Sequence, residues 1–437
     1  MATAPDAAAR GRAQRGQLPW HVVGVAVVAL MLTAPGQTAG VSVFVDPMIE
    51  SLGLTRAESS GAYMVGTLVG ALALPRIGRA LDRWGVRAVM AAVGGAFGLA
   101  AAAMAGVTGL VTLVAGYAGI RLLGQGSLSL SATTSVAVAF SRRRGLAMGL
   151  TMAAGSALLG LMPLALTAAI DGLGWQRAWI AAGATVALVV VPLALLGLRG
   201  VDTRGQGDDE PEAADPGTTT DADHAPDAPD APDATEEKES RAPRDATRRE
   251  ALRTPAFWAI VGGTVASGLI GTGLQFHQIS LLGEQGLTVE QAAANFVPQS
   301  VTLVLATLAT GWLADRVSHR VIVPAAMGLL MAAMLLSQVA APGFLAVLYA
   351  IGVGGSGGAT RAYEAAAMPR YFGTTNVGAI RGAAMTINVM ATALGPVALA
   401  TGFEAAGTYA ASLLPLLALP VLVAALALLT RPPAVRG

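Results

Sequence analysis

The 437-residue chain contains no cysteine, so disulfides and thiolate chemistry are excluded. Lysine is nearly absent as well, with arginine outnumbering it 27 to 1. Charge of either sign is scarce. Only 13% of residues are Asp, Glu, Lys or Arg, where a soluble domain carries about 25%. Even these are unevenly spread, because 16 of the 27 acidic residues fall between positions 202 and 250. Aromatic residues make up 5%, and none interleave with a basic tract, so nothing points to nucleic acid. No histidine pair has metal-ligand spacing and no nucleophile–base set stands out. The expectation is therefore no metal, no cofactor and no enzyme. What is abundant is hydrophobic sequence, at 54%, arranged in long runs that only a helical membrane protein explains. The Ala-, Gly- and Arg-rich usage reads as a GC-rich bacterial genome.

The chain also repeats itself. Gly78-Arg79-Ala80-Leu81-Asp82-Arg83-Trp84-Gly85-Val86-Arg87 recurs 233 positions later as Gly311-Trp312-Leu313-Ala314-Asp315-Arg316-Val317-Ser318-His319-Arg320. The same offset carries Gly53-Leu54-Thr55 onto Gly286-Leu287-Thr288, Gly145 and Gly149 onto Gly378 and Gly382, and Pro163 onto Pro396. Two copies of one unit in an apolar chain point to a transporter.

Twelve runs of membrane-crossing length can be placed, at about 20–45, 59–78, 86–106, 111–139, 145–169, 175–198, 255–282, 291–312, 320–341, 343–367, 378–402 and 408–430. The expected fold is all-α, with twelve transmembrane helices in two pseudo-symmetric six-helix bundles. Its expected parts are a cytoplasmic tail (1–19), an N-terminal bundle (20–198), a linker (199–253), a C-terminal bundle (254–430) and a short tail (431–437). Arg10, Arg12 and Arg15 ahead of an apolar run resemble a signal peptide. The repeat pairs that run with the segment beginning near Ala256, so a retained first helix is expected. With even spans, 16 arginines from Arg10 to Arg431, those within 200–253 left aside, collect on the side of the termini and only Arg56 and Arg177 on the other. Positive-inside bias then puts both termini in the cytoplasm, and the expected location is a bacterial inner membrane. The acidic linker, with its Asp-Ala-Pro repeats between Asp227 and Asp233, lacks the apolar surface to order itself.

Two six-helix halves, a long central loop and Gly-x-x-x-Asp-Arg-x-Gly-x-Arg between the second and third spans resemble the major facilitator superfamily. The second copy lacks the middle Gly, having Ser318. The resemblance implies alternating access, with the motif residues latching the cytoplasmic side. Those residues are Gly78, Asp82, Arg83 and Arg87 in one copy and Gly311, Asp315, Arg316 and Arg320 in the other. Asp82 would face the start of the eleventh span near Gly378, and Asp315 the start of the fifth near Gly145. An anion at a helix N-terminus gains roughly 0.3–1 kcal/mol when exposed. The alternative is that these residues only terminate helices and bind lipid headgroups. Phe140-Ser141-Arg142-Arg143-Arg144-Gly145, Tyr371-Phe372-Gly373 and Gly395-Pro396 resemble the monocarboxylate porter and oxalate–formate antiporter branch. The basic residues with which that branch commonly binds carboxylate, in the eighth and eleventh helices, have no counterpart here.

Charges inside spans cost roughly 2.5–3.5 kcal/mol each on insertion scales, so they should face the bundle interior. Three lie well within the spans rather than at their ends: Arg121, Arg361 and Glu364. Arg121, with Gln125 one turn on, reads as a substrate-binding guanidinium or as a structural one bonded to carbonyls of the first helix. Arg361 and Glu364 are three apart, so they either neutralise each other or form a proton switch that frees Arg361 for substrate. His277 is a second proton-coupling candidate, or a helix-end hydrogen-bonding residue. Gln37, Asn295, Gln299 and Asn388 are candidate cavity-wall residues or interhelical bonds. The Gly352–Gly358 run lacks the Lys-Ser/Thr end of a phosphate loop and reads as close helix packing.

Together these features lead to a secondary active transporter, a monomer expected to move or exchange a small organic anion, such as a monocarboxylate, with protons. Efflux of an amphipathic drug or metabolite is the alternative within transport. A non-transporting receptor or scaffold is the alternative outside it.

Overall fold

The computed structural model describes residues 19–140, 143–201 and 245–430. The expected N-terminal tail up to 18, the linker from 202 to 244, the tail 431–437 and Ser141-Arg142 lie outside the described residues.

The first half contains α1 (Trp20–Met31), α2 (Thr38–Leu52), α3 (Arg56–Trp84), α4 (Val86–Ala103), α5 (Leu110–Ile120), α6 (Ser129–Ala139), α7 (Arg144–Leu173) and α8 (Trp175–Gly197). A short α9 (Arg248–Arg253) precedes the second half. That half runs through α10 (Pro255–Phe276), α11 (Gln278–Gly283), α12 (Val289–Ala294), α13 (Phe296–Leu313), α14 (His319–Leu336), α15 (Phe344–Phe372), α16 (Val377–Ala406), α17 (Ala410–Leu416) and α18 (Ala418–Leu429). Among the described residues nine helical stretches are long and apolar enough to cross a membrane. Three others are as long but broken or charged. Residues 20–52 break at Ala34-Pro35-Gly36, 110–139 contain a π-helical segment over Arg121–Leu128, and α15 carries Arg361 and Glu364. With them the arrangement is consistent with twelve spans.

The repeat holds in the helix ends. Val86–Ala103 corresponds to His319–Leu336 (319 − 86 = 233), and Arg144–Leu173 to Val377–Ala406 (377 − 144 = 233). Thr55 and Thr288 cap their helices identically, each accepting from the N–H three residues on, Glu58 and Gln291. The preceding turns use left-handed glycines at the same register, Gly53 at φ 63° and Gly286 at φ 87°.

Packing follows the same symmetry. In the first half α4 lies on α8, α3 on α5 and α1 on α7; in the second α14 lies on α18, α13 on α15 and α10 on α16. Glycine sets the closest crossings. A Cβ at Gly98 would sit 2.6 Å from Gly183 O where α4 meets α8, and one at Gly273 would sit 2.8 Å from Gly395 O where α10 meets α16. Gly352 packs the same way against Leu329 O of α14, at 2.8 Å.

The expected disordered linker ends earlier than residue 253. Thr374 and Thr375 N–H donate to Asp245 Oδ2 at 3.0 and 2.8 Å, and Ala246 N–H donates to Phe372 O at 2.9 Å. Thr247 then caps α9 with a capping box to Glu250. A short polar stretch can order itself where a neighbouring loop supplies free N–H groups, which composition alone does not reveal.

Candidate functional site

Between the halves lies a cavity of about 500 Å³. Its walls come from the spans carrying Leu30, Thr33 and Gln37; Thr67 and Leu74; Arg121 through Thr133; Met152 through Leu159; Arg361; and Met385 through Thr392. No Asp or Glu is among these lining residues, whereas two arginines are.

Arg121 is 6% exposed and sits at the start of the π segment. Its Nε donates to Thr67 Oγ1 at 3.1 Å and its Nη1 to Gly36 O at 3.1 Å, and its guanidinium lies 4.7 Å from the Tyr63 ring centroid. The carbonyl at Gly36 is available because Pro35-Gly36 interrupts the first span. Thr38 and Tyr63 hydroxyls are 2.7 Å apart, which steadies the ring. The guanidinium is thus fixed to the broken first span and still lines the cavity. Arg361 contrasts with it. It is exposed in the cavity and makes no hydrogen bond or ion pair within the described residues.

Glu364 does not line the cavity. It is half-buried behind Arg361, next to Thr264, in the field of Arg381 and Arg361. The direct Arg361–Glu364 ion pair is not formed, so the self-neutralising alternative does not describe this conformation. Gln37 and Gln125 both line the cavity, and Gln37 Nε2 donates to Thr33 Oγ1 at 3.0 Å.

Asn295, Gln299 and Asn388 are placed elsewhere. Gln299 is buried and donates to Gln278, which in turn donates to Ala292 O at 2.9 Å and accepts from Tyr349 OH at 3.4 Å. That network ties α11, α12, α13 and α15 together. Asn295 caps the break between α12 and α13, its Nδ2 3.5 Å from Gln291 O. Asn388 turns towards Gly268 of α10, while its neighbours Met385, Val389 and Thr392 face the cavity. For Asn388 a helical phase difference of one residue decides the matter, too fine for a span boundary read from sequence, whereas no residue of α12 or α13 lines the cavity at all.

His277 is buried where α10 breaks into α11. Its Nε2 is 2.9 Å from Pro396 O of α16 and 3.4 Å from Ser60 Oγ of α3. It bridges the halves at the end away from Pro19 and Thr430, not at the cavity.

That far end is closed. Ala57 N–H donates to Glu404 Oε1 at 2.8 Å, Arg56 lies over Phe403 at 5.3 Å, and Arg56 pairs with Asp46 at 2.6 Å. The near end is open. Asp82 and Asp315 are exposed and reach neither Gly378 nor Gly145, so the family-implied latch is not made in this conformation. Gly78, Gly145, Gly149, Gly311, Gly378 and Gly382 all face open space. The motif's other arginines have local partners. Arg87 Nε donates to Leu195 O at 3.0 Å and Arg320 Nε to Thr430 O at 2.7 Å, matching helix-end contacts in the two halves. Arg316 lies over Trp312 at 4.2 Å and Arg83 over Trp84 at 5.8 Å.

Tyr63, Thr67, Thr33, Ser129, Thr133 and Ser156 belong to the site but escaped the sequence reading. Uncharged hydroxyls are too common in membrane helices to stand out.

Residues 25–396 match the family description Major Facilitator Superfamily. A search of curated proteins gives no match. Among solved structures, the chain resembles a bacterial homolog of the human lysosomal transporter Spinster in its inward-facing, occupied conformation. That likeness has a TM-score of 0.68 at 16% identity and covers 95% of this chain and 97% of the other. The same homolog, inward-facing and unoccupied, gives a TM-score of 0.65 at 16% identity with the same coverage. At that identity the likeness speaks for the fold.

Proposed function

The chain belongs to the Major Facilitator Superfamily, and from that premise we propose a secondary active transporter that moves a small organic anion, such as a monocarboxylate, with protons. One observation carries the anion: Arg121 and Arg361, from opposite halves, line one cavity that no acidic side chain among the described residues enters. Two guanidiniums with no carboxylate among the cavity's lining residues favour a carboxylate substrate, which each can hold through charge-assisted hydrogen bonds. Arg361, which makes no hydrogen bond or ion pair among the described residues, is the movable contact, and Arg121 the fixed one. Glu364 beside Arg361 supplies the proton link in this reading: a neutral Glu364 leaves Arg361 to the substrate, an ionised one draws it away. The arginine asymmetry supports cytoplasmic termini in a bacterial inner membrane.

A second reading, efflux of an amphipathic metabolite or drug, draws on the apolar part of the same wall, including Leu30, Leu74, Leu159 and Met385. Flux into proteoliposomes under an imposed pH gradient separates the two. The anion reading expects gradient-driven uptake of a labelled organic acid. Glu364→Gln is expected to abolish the gradient dependence while exchange continues. Transport of cationic dyes with no acid flux would replace it by the efflux reading. No flux of either would favour a receptor or scaffold.

A further inference from the structure

On the flank of the first half, α3 and α4 diverge from their junction at Gly85 and leave a cleft of about 360 Å³. Its sides carry Ile77 and Ala80 from α3 and Ala88, Ala92 and Ala96 from α4, with Leu123 of the π segment as floor. The alanines at 88, 92 and 96 recur every four residues, so one face of α4 is pared back along about 12 Å. Every lining side chain is hydrocarbon apart from the Trp84 indole. The cleft shares no residue with the central cavity.

At the end of the bundle that carries Pro19 and Thr430, the cleft runs into a second pocket of about 330 Å³. The two share Trp84 and Ala88. This second pocket is polar where the first is not. Arg87 enters it, together with backbone at Gly85 and Gly200. Arg87 Nε is bound to Leu195 O at 3.0 Å, which fixes the guanidinium plane, and its Nη groups have no partner among the described residues. Arg83 and Arg199, the chain neighbours of the pocket's lining residues Trp84 and Gly200, are exposed, and among the described residues Asp82 is the one acidic residue adjoining them in sequence. Trp84, 57% exposed, spans the boundary between the two pockets.

We infer that the paired pockets are a binding site for one anionic glycerophospholipid of the surrounding leaflet. An acyl chain occupies the α3–α4 cleft, and the phosphate lies on Arg87. A hydrocarbon-walled cleft at membrane depth accepts a chain and nothing polar. A guanidinium held by one nitrogen offers its remaining N–H pairs to phosphate oxygens. An indole between them sits where tryptophan is enriched, at the headgroup level. The surplus of arginines selects a headgroup with net negative charge over a zwitterionic one. The site touches the floor of the π segment through Leu123, so its occupancy bears on the helix that carries Arg121.

The test uses the full chain in phosphatidylcholine vesicles, titrated with phosphatidylglycerol brominated in its acyl chains, a quencher of nearby tryptophan. The Trp84 signal is the difference between the unaltered protein and Trp84→Phe. It is expected to be half-quenched at a mole fraction roughly fivefold lower for brominated phosphatidylglycerol than for brominated phosphatidylcholine. Arg87→Gln is expected to abolish that preference, and Ala92→Phe, which fills the cleft, to remove quenching by either lipid beyond the bulk level. Equal quenching by both lipids, or a preference that survives Arg87→Gln, would overturn the assignment. Should Arg87→Gln fail to fold, native mass spectrometry of the unaltered chain decides. One retained anionic lipid per chain supports the site, and none refutes it. A dimer without lipid would put a second copy of the chain in the cleft instead.

Discussion

Arg121 has three side-chain contacts and Arg361 no hydrogen bond or ion pair among the described residues, and the two should respond differently to truncation. Arg121→Ala strips donors from Gly36 O and Thr67 Oγ1 in a buried site. A stability loss of about 1–3 kcal/mol is expected alongside lost transport. Arg361→Ala breaks no hydrogen bond or ion pair among the described residues, so stability should stay within about 0.5 kcal/mol, while KM for the proposed organic acid rises about 10- to 100-fold. Thermal unfolding in detergent and proteoliposome kinetics read the two effects separately. Equal destabilisation by both variants would show that Arg361 has a structural partner. The arginines stand out in the sequence because a charge in an apolar run is costly wherever it points. Their surroundings do not. Thr67 and Tyr63 come from another span, and nothing local to Arg121 announces them. Gln299 and Asn388 illustrate the converse, as polar residues in the right helices whose orientation only packing decides.

Helices were the more legible layer, since apolar length and the 233-residue offset are properties of the chain alone. Caps, left-handed glycines and helix ends fall at the same register in both halves because the same short signals occur twice. The break at Pro35-Gly36 carries its own breaker residues, whereas the π segment at Arg121–Leu128 does not. There Ser127 Oγ donates to Leu122 O, five residues back, at 2.7 Å, and a Cβ at Gly126 would sit 2.7 Å from Leu74 of α3. The widened turn belongs to tertiary packing. The crossing of α4 and α8 gives a prediction of opposite signs for two glycines three residues apart. Gly98→Ala places a methyl against backbone of α8 and should destabilise by about 1–3 kcal/mol. Gly95→Ala meets only Val191 at 3.7 Å and should be neutral or stabilise by up to about 1 kcal/mol through helix propensity. A shared sign in thermal unfolding would mean that the two helices do not cross at Gly98.

At the level of the whole molecule the two ends differ in how the halves meet. The far end is joined by Glu404 on the N-terminal turn of α3, by Arg56 over Phe403 and by His277 between α3 and α16. An anion at a helix start and a cation on a ring are modest, reversible contacts, suited to an interface that opens. The near end has the matching parts, Asp82 and Asp315 with glycine-faced helix starts at Gly145 and Gly378, unengaged. Opening the far end would let the near end close on these small-residue faces, so the open and closed contacts exclude each other. The chain's lack of cysteine makes this directly testable, because any introduced pair is the only pair. Ala57→Cys with Glu404→Cys, bridged by a short reducible cross-linker, should hold the far end shut and bring flux to background, with recovery on reduction. Gly149→Cys with Gly382→Cys should resist bridging at rest and become bridgeable during turnover, when the near end closes. Undiminished flux through the Ala57–Glu404 bridged protein would show that the far end need not open, and alternating access between these two ends would fail for this chain.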